Sequence, residues 1–154
     1  MTPDQSLREF LSRYDPAIEK IGRKALAALR KLLPGAIELV YDNYNALAIG
    51  FASTERASDA VISVALYPRW VSLFFLAGSS LLDPDRRLRG SGSRVRHIVL
   101  ENGAATLTEP SVQALIREAV RRADPPLPQS GKRKIIIKSV SAKQRPRRPG
   151  SRTK

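Results

Sequence analysis

The sequence predicts an α+β protein: about five strands in a mostly antiparallel sheet, two N-terminal helices and one C-terminal helix packed on it, and an extended basic tail. Two segments of helical periodicity open the chain. A block of five short runs rich in β-branched and aromatic residues follows, separated by turn-like spacers. Beyond that block the composition changes: residues 125–154 hold ten Lys/Arg and no Asp/Glu, against 17 Lys/Arg and 14 Asp/Glu in residues 1–124. Most of the net charge of +13 therefore belongs to the tail. The domain reading is an α+β domain over 1–124 and a basic, Pro-containing tail over 125–154.

The elements follow in order. Thr2-Pro3 with Gln5 forms an N-cap, a first-turn proline and a capping-box partner, and Leu7, Phe10, Leu11 and Tyr14 make a short apolar stripe behind it. Asp15-Pro16 restarts the helical signal. Ile18, Ile21, Ala25, Leu26 and Leu29 then keep one side apolar while Lys20, Arg23, Lys24 and Lys31 take the other, until Pro34-Gly35 stops the helix. The strand candidates are 36–42, 45–52, 59–67, 69–77 and 94–101. Their connections are too short for parallel crossovers, which makes the sheet a meander. The third and fourth runs are apolar on both faces and are expected at the centre, covered on each side. Glu109-Pro110 opens the last helix and Asp124-Pro125-Pro126 ends it. Within the tail, 134–140 is an edge-strand candidate whose cations discourage further pairing.

Several function classes are excluded or weakened at once. With no cysteine and one histidine, a thiolate or two-histidine metal site is unavailable to one chain. The N-terminus lacks an apolar leader region and no apolar run spans a membrane, so the expected location is cytoplasmic. No cofactor motif is present. The Gly-Ser-Gly stretch at 90–92 fails as a phosphate loop, because Gly92 is followed by Ser93-Arg94 and no glycine lies five residues before it. It fails as a dinucleotide fingerprint because Val95 occupies the third glycine position and a strand follows. Asp83 and Asp85 read as an N-cap and first-turn acid of a short helix. No nucleophile elbow or other ordered catalytic signature appears. The expectation is therefore a non-enzymatic binding module.

Two surfaces are candidates for that role. The first joins the polar joint Tyr41, Asp42, Tyr44 and Asn45 to Arg94, Arg96 and His97, with the arginines anchoring a small anionic ligand or a protein partner. The competing account is a hairpin turn, a glycine-rich turn and a solvated row of arginines. The second surface is the tail itself: Lys132, Arg133, Lys134, Lys138, Lys143, Arg145, Arg147 and Arg148 would neutralise phosphates of a nucleic acid in a salt-sensitive, sequence-independent way, or else simply solubilise the protein. The aromatic residues Phe51, Tyr67, Trp70, Phe74 and Phe75 read as core. Arg69 beside Trp70 is the one sign of an RNA-stacking arrangement.

With these pieces in order, the chain resembles the YdhG-like family, a domain of unknown function. The resemblance rests on "ELVYDNYNALAIGF" (38–51), "ALYPRWVSLFF" (65–75), "LLDPDRRLRGSGSRVRHIVL" (81–100) and "IIIKSVSAKQRPRRP" (135–149). It implies helices packed on an antiparallel sheet in a small cytosolic bacterial protein and carries over no catalytic residues. Some members are described as frataxin-like iron chaperones. That role would draw on carboxylates such as Glu38, Asp42, Glu55 and Asp59, in a body that is net positive.

Overall fold

A computed structural model describes residues 1–150 of the chain. Helix α1 (Pro3–Ser12) starts at the capping box: the Gln5 backbone N–H donates to Thr2 Oγ1 at 3.1 Å, and the Thr2 N–H donates to Gln5 Oε1 at 2.8 Å. Helix α2 (Pro16–Leu32) follows after a three-residue break, and helix α3 (Pro110–Arg122) comes after the meander. The strands are β1 (Ile37–Asp42), β2 (Leu47–Ala52), β3 (Ala60–Leu66), β4 (Val71–Phe75), β5 (Arg96–Val99) and β6 (Lys134–Val140).

The sheet has six strands rather than five, in the order β5-β4-β3-β2-β1-β6. Strands β1 to β5 form the antiparallel meander that short connections require. β6 pairs parallel with β1, a geometry that needs a long crossover, and α3 lies in that crossover. A register shift between Val40 and Tyr41 leaves Lys138 out of the ladder, and its ammonium donates to the Glu55 carbonyl at 3.1 Å.

Alternation sorts the side chains into two faces. One cross-strand row, Val40, Ile49, Val64, Leu73 and Ile98, belongs to the apolar core together with Leu7 and Leu11 of α1, Leu26 and Leu29 of α2, and Val112 and Leu115 of α3. Gly22 lets α2 come close, since a Cβ there would meet the Leu66 side chain at 2.6 Å. The opposite face carries Leu39, Gly50, Ser63, Phe74 and His97 in one row and Tyr41, Ala48, Ala65, Ser72 and Val99 in the next. The two-sided cover expected for β3 and β4 is thus not found: the core cluster ties all three helices to one face. Those strands read as apolar throughout because Ala65 and Phe74 stand on the second face beside Ser63 and Ser72.

The extended tail is the second correction. Residues 134–140 are the edge strand, and the chain beyond them wraps the β1–β2 hairpin. Ser141 N–H donates to the Asp42 carbonyl and Arg145 N–H to the Tyr44 carbonyl, both at 2.9 Å, and Arg147 is only 6% exposed. The last four residues of the stretch, 151–154, lie outside the described residues. Counting charges hid this arrangement because the counter-charges sit in the body, at Asp4, Asp15, Asp42 and Glu55. Residues 83–88 form no helix: the Asp83 carboxylate accepts from the Arg87 and Leu88 N–H groups, holding a turn with Arg86 at φ +54°.

Candidate ligand-binding site

The sheet has two ends. Asp42, Leu47, Leu66 and Val71 mark one, and Ile37, Ala52, Ala60 and Arg96 the other. The joint Tyr41–Asn45 lies at the first end, beside the edge strand β6. Arg94, Arg96 and His97 lie towards the second end on the opposite edge, with β2, β3 and β4 in between. The structure does not bring the two halves of the sequence-predicted site together.

At the first end Asp42 is structural. It is 1% exposed and faces the core side. Its carboxylate accepts from Arg147 Nη2 at 2.8 Å, from Gln144 Nε2 at 3.0 Å and from Arg13 Nη1 at 3.3 Å. Arg147 also donates to the Asn43 and Tyr44 carbonyls and lies over the Tyr14 ring, 5.8 Å from its centroid. Tyr14 is fully buried; its hydroxyl donates to the Leu66 carbonyl at 2.9 Å and accepts from the Leu47 N–H at 3.1 Å. Burial pushes this phenol up to about 12, with the Arg147 charge opposing the rise. Through Arg147 the tail is thus anchored to buried groups at this end of the sheet.

Most tail cations have partners in the body. Arg133 pairs with Asp4 at 3.5 Å, and Lys134 pairs with Glu55, whose carboxyl it holds below the usual range through that hydrogen bond. Arg148 lies 3.8 Å from Asp15 and donates to the Arg13 carbonyl at 3.1 Å. Lys132, Lys143 and Arg145 make no ion pair among the described residues, although the Arg145 guanidinium lies over the Tyr44 ring at 5.7 Å. A freely moving cationic arm does not describe residues 132–148.

The wrapped tail encloses something the sequence reading missed. Pro68-Arg69 is a two-residue hairpin loop, closed by the Tyr67 N–H donating to the Trp70 carbonyl at 2.9 Å. Residues flanking such a loop face one another across the ladder, and Tyr67 and Trp70 stack at 4.7 Å with an interplanar angle of 17°. Trp70 remains 43% exposed, as does Tyr44 on the neighbouring hairpin. Asn45, Tyr67, Arg69, Trp70, Arg145 and Arg148, with Pro68, Pro146 and Pro149, line a cleft of about 590 Å³ between the two hairpins and the tail. Phe51 and Phe75 are core as expected, but Trp70 is not. The detectable signal was the spacing Tyr-Pro-Arg-Trp, in which a turn proline sets two aromatics across from each other.

The second end holds its own cleft, of about 700 Å³, lined by Arg94 and Val95 with Val61, Phe75, Leu81 and Ala119. Here the arginines divide. Arg96 donates to the Gly92 and Val95 carbonyls at 2.6 and 2.8 Å and so braces its own loop, while Arg94 makes no ion pair among the described residues. Gly90 adopts φ +118° and needs glycine; Gly92 has open space around it. His97 is half-buried on the helix-free face, tilted against Phe74 at 5.3 Å. Tyr41 stands on the same face, where burial raises its phenol.

No protein-family model, curated protein or solved structure matches the chain. Among the described residues no helix is long and apolar enough to cross a membrane, and no three His, Asp or Glu side chains gather as a metal site. The four carboxylates that iron handling would use are each engaged separately. Glu38 is bidentate with Arg30 at 2.8 Å, Asp42 binds Arg147, Glu55 binds Lys134, and Asp59 accepts from the Thr54 hydroxyl.

Proposed function

We propose that the protein is a non-enzymatic binding module for an anionic ligand carrying a flat ring, and that its site is the cleft between the β1–β2 hairpin, the β3–β4 hairpin and the tail. The observation that carries this reading is Trp70, half-exposed, backed by Tyr67 and bordered by Arg69, Arg145 and Arg148. An indole held against a second ring is a fixed platform for stacking, and guanidinium groups around it match phosphate or carboxylate. Membership of the YdhG-like family is part of the proposal and rests on the four sequence stretches quoted above.

Trp70 is the chain's only tryptophan, so fluorescence excited selectively from tryptophan reports on this cleft. Titration with nucleoside monophosphates should quench it saturably, and Arg145→Ala/Arg148→Ala should weaken the response at least tenfold. Arg94→Ala, at the other end of the sheet, should leave it unchanged. Absence of any saturable change with a ring-bearing anion would end the proposal.

A further inference from the structure

We propose that the ligand of this cleft is a single-stranded nucleic acid, with one base stacked on Trp70 and its phosphodiesters running along the tail. This deepens the reading above and rests on it.

Ring chemistry comes first. Tyr67 packs against Trp70 and the exposed remainder of the indole borders the cleft, so a base stacking there meets a platform already ordered by the hairpin. Stacking of this kind tolerates any base, since every base has a π-face. The adjoining hairpin adds a second exposed ring, Tyr44, with the Arg145 guanidinium over it. β2 and β3 are neighbours, so the two hairpins sit side by side, and both contribute to the lining. A second exposed ring, held under an arginine that also lines the cleft, suits consecutive nucleotides better than a lone one.

Phosphate chemistry follows from how the tail is fixed. Arg147 points inward to Asp42, while Lys143, Arg145 and Arg148 are exposed. The Arg145 N–H pins the backbone to the Tyr44 carbonyl. Cations on a seated wall lose little freedom when a phosphate arrives, unlike those of a disordered arm. Of the three arginines that line the cleft, Arg69, Arg145 and Arg148, only Arg148 has an acidic neighbour among the described residues, at 3.8 Å. The whole chain carries +13, an excess that a single phosphate does not use and a polyanion does.

Duplex is disfavoured by the same geometry. Its bases stack on each other, and none is free to lie against Trp70. A single strand presents its faces directly.

The test uses the full chain and follows Trp70 quenching together with anisotropy of a labelled homopyrimidine oligonucleotide, as RNA and as DNA. The comparison ligands are the same oligonucleotide annealed into a duplex, the mononucleotide, and inorganic phosphate. The single strand should bind at least tenfold tighter than the duplex and the mononucleotide. Three phosphates neutralised on a single strand give a slope of about −2 in log K against log salt, or roughly a twentyfold loss for a fourfold rise in salt. Trp70→Leu should weaken binding by about tenfold or more with the salt slope kept, because it removes stacking and no charge. Arg145→Ala/Arg148→Ala should lower the slope by about one to two. If the mononucleotide quenches as well as the oligonucleotide, or the duplex competes equally, the strand proposal is overturned while the ring-bearing anion stands. If nothing quenches Trp70, both fall.

Discussion

Replacing Arg147 by methionine should destabilise the whole domain, although the residue lies in the last tenth of the chain. Arg147→Met keeps much of the side chain's length and removes the guanidinium. Asp42, 1% exposed, then loses its 2.8 Å partner and keeps only Gln144 at 3.0 Å and the partly exposed Arg13 at 3.3 Å. The Asn43 and Tyr44 carbonyls lose a donor as well. Removing one member of a buried pair costs about 3–5 kcal/mol, because the remaining charge stays buried without compensation. Arg13 still reaches the carboxylate, which places the expected loss near the low end, at about 3 kcal/mol. For a chain of this size that corresponds to a fall in Tm of roughly 6–12 °C. Urea titration of the wild type, Arg147→Met, Asp42→Asn and the double variant closes a cycle, in which the pair should show a coupling of about 2 kcal/mol. Arg145→Met, on the exposed side of the same segment, should stay within about 0.5 kcal/mol of the wild type. A loss below 1 kcal/mol for Arg147→Met, or a double variant that is simply additive, would refute the seated tail.

Tyr14→Phe should cost about 2 kcal/mol in urea titration, since it strips the Leu66 carbonyl and the Leu47 N–H of a buried partner. The same tyrosine sets an alkaline limit. Its pKa is raised in the fold from 10.0 to about 12, so its contribution is complete below pH 10 and is lost as pH rises through 12. Unfolding followed by tyrosinate absorbance should show the wild type losing up to about 3 kcal/mol more than Tyr14→Phe across that window. Tyr41 and Tyr67, also raised by burial, contribute equally to both proteins and cancel. Gly35→Ala should lower the unfolding free energy read by urea titration by about 2 kcal/mol or more, because the new Cβ is driven into the Pro128 carbonyl, whereas Gly92→Ala, with nothing within 4 Å, should be within about 0.5 kcal/mol of neutral.

What was legible in the sequence was local. The capping box at Thr2, the α2 stripe, the proline starts of all three helices and the five meander strands are written in neighbouring residues, and the structure holds each of them. The edge strand at 134–140 was legible too, but its partner was not, because parallel pairing to β1 depends on a crossover of more than thirty residues rather than on a turn. The tail was misread for a related reason. Arg147 meets Asp42 across 105 positions, and no window of sequence shows that a buried carboxylate awaits it. The structure does not assemble the predicted site as one surface: Asn45 lines a cleft, but the arginines beside it are 69, 145 and 148, since sheet order puts 94 and 96 at the far edge and the far end.

The tail's structural role and its proposed binding role constrain each other physically. Cations gathered around one cleft repel, and a fold that collects Arg69, Arg145 and Arg148 must offset that repulsion. Part of the offset is visible: Asp42 places one negative charge directly beneath the segment, and Asp15 approaches Arg148 from the rim. Among the described residues neither pairs with Arg69 or Arg145, and an anion from solution would relieve the repulsion that remains. An occupant at a hundred times its Kd adds about 2.7 kcal/mol to stability, close to what the Arg147 anchor supplies. Folding and binding therefore draw on one segment in opposite directions: the inward cation closes the structure, and the outward ones leave it with a charge that the right polyanion completes.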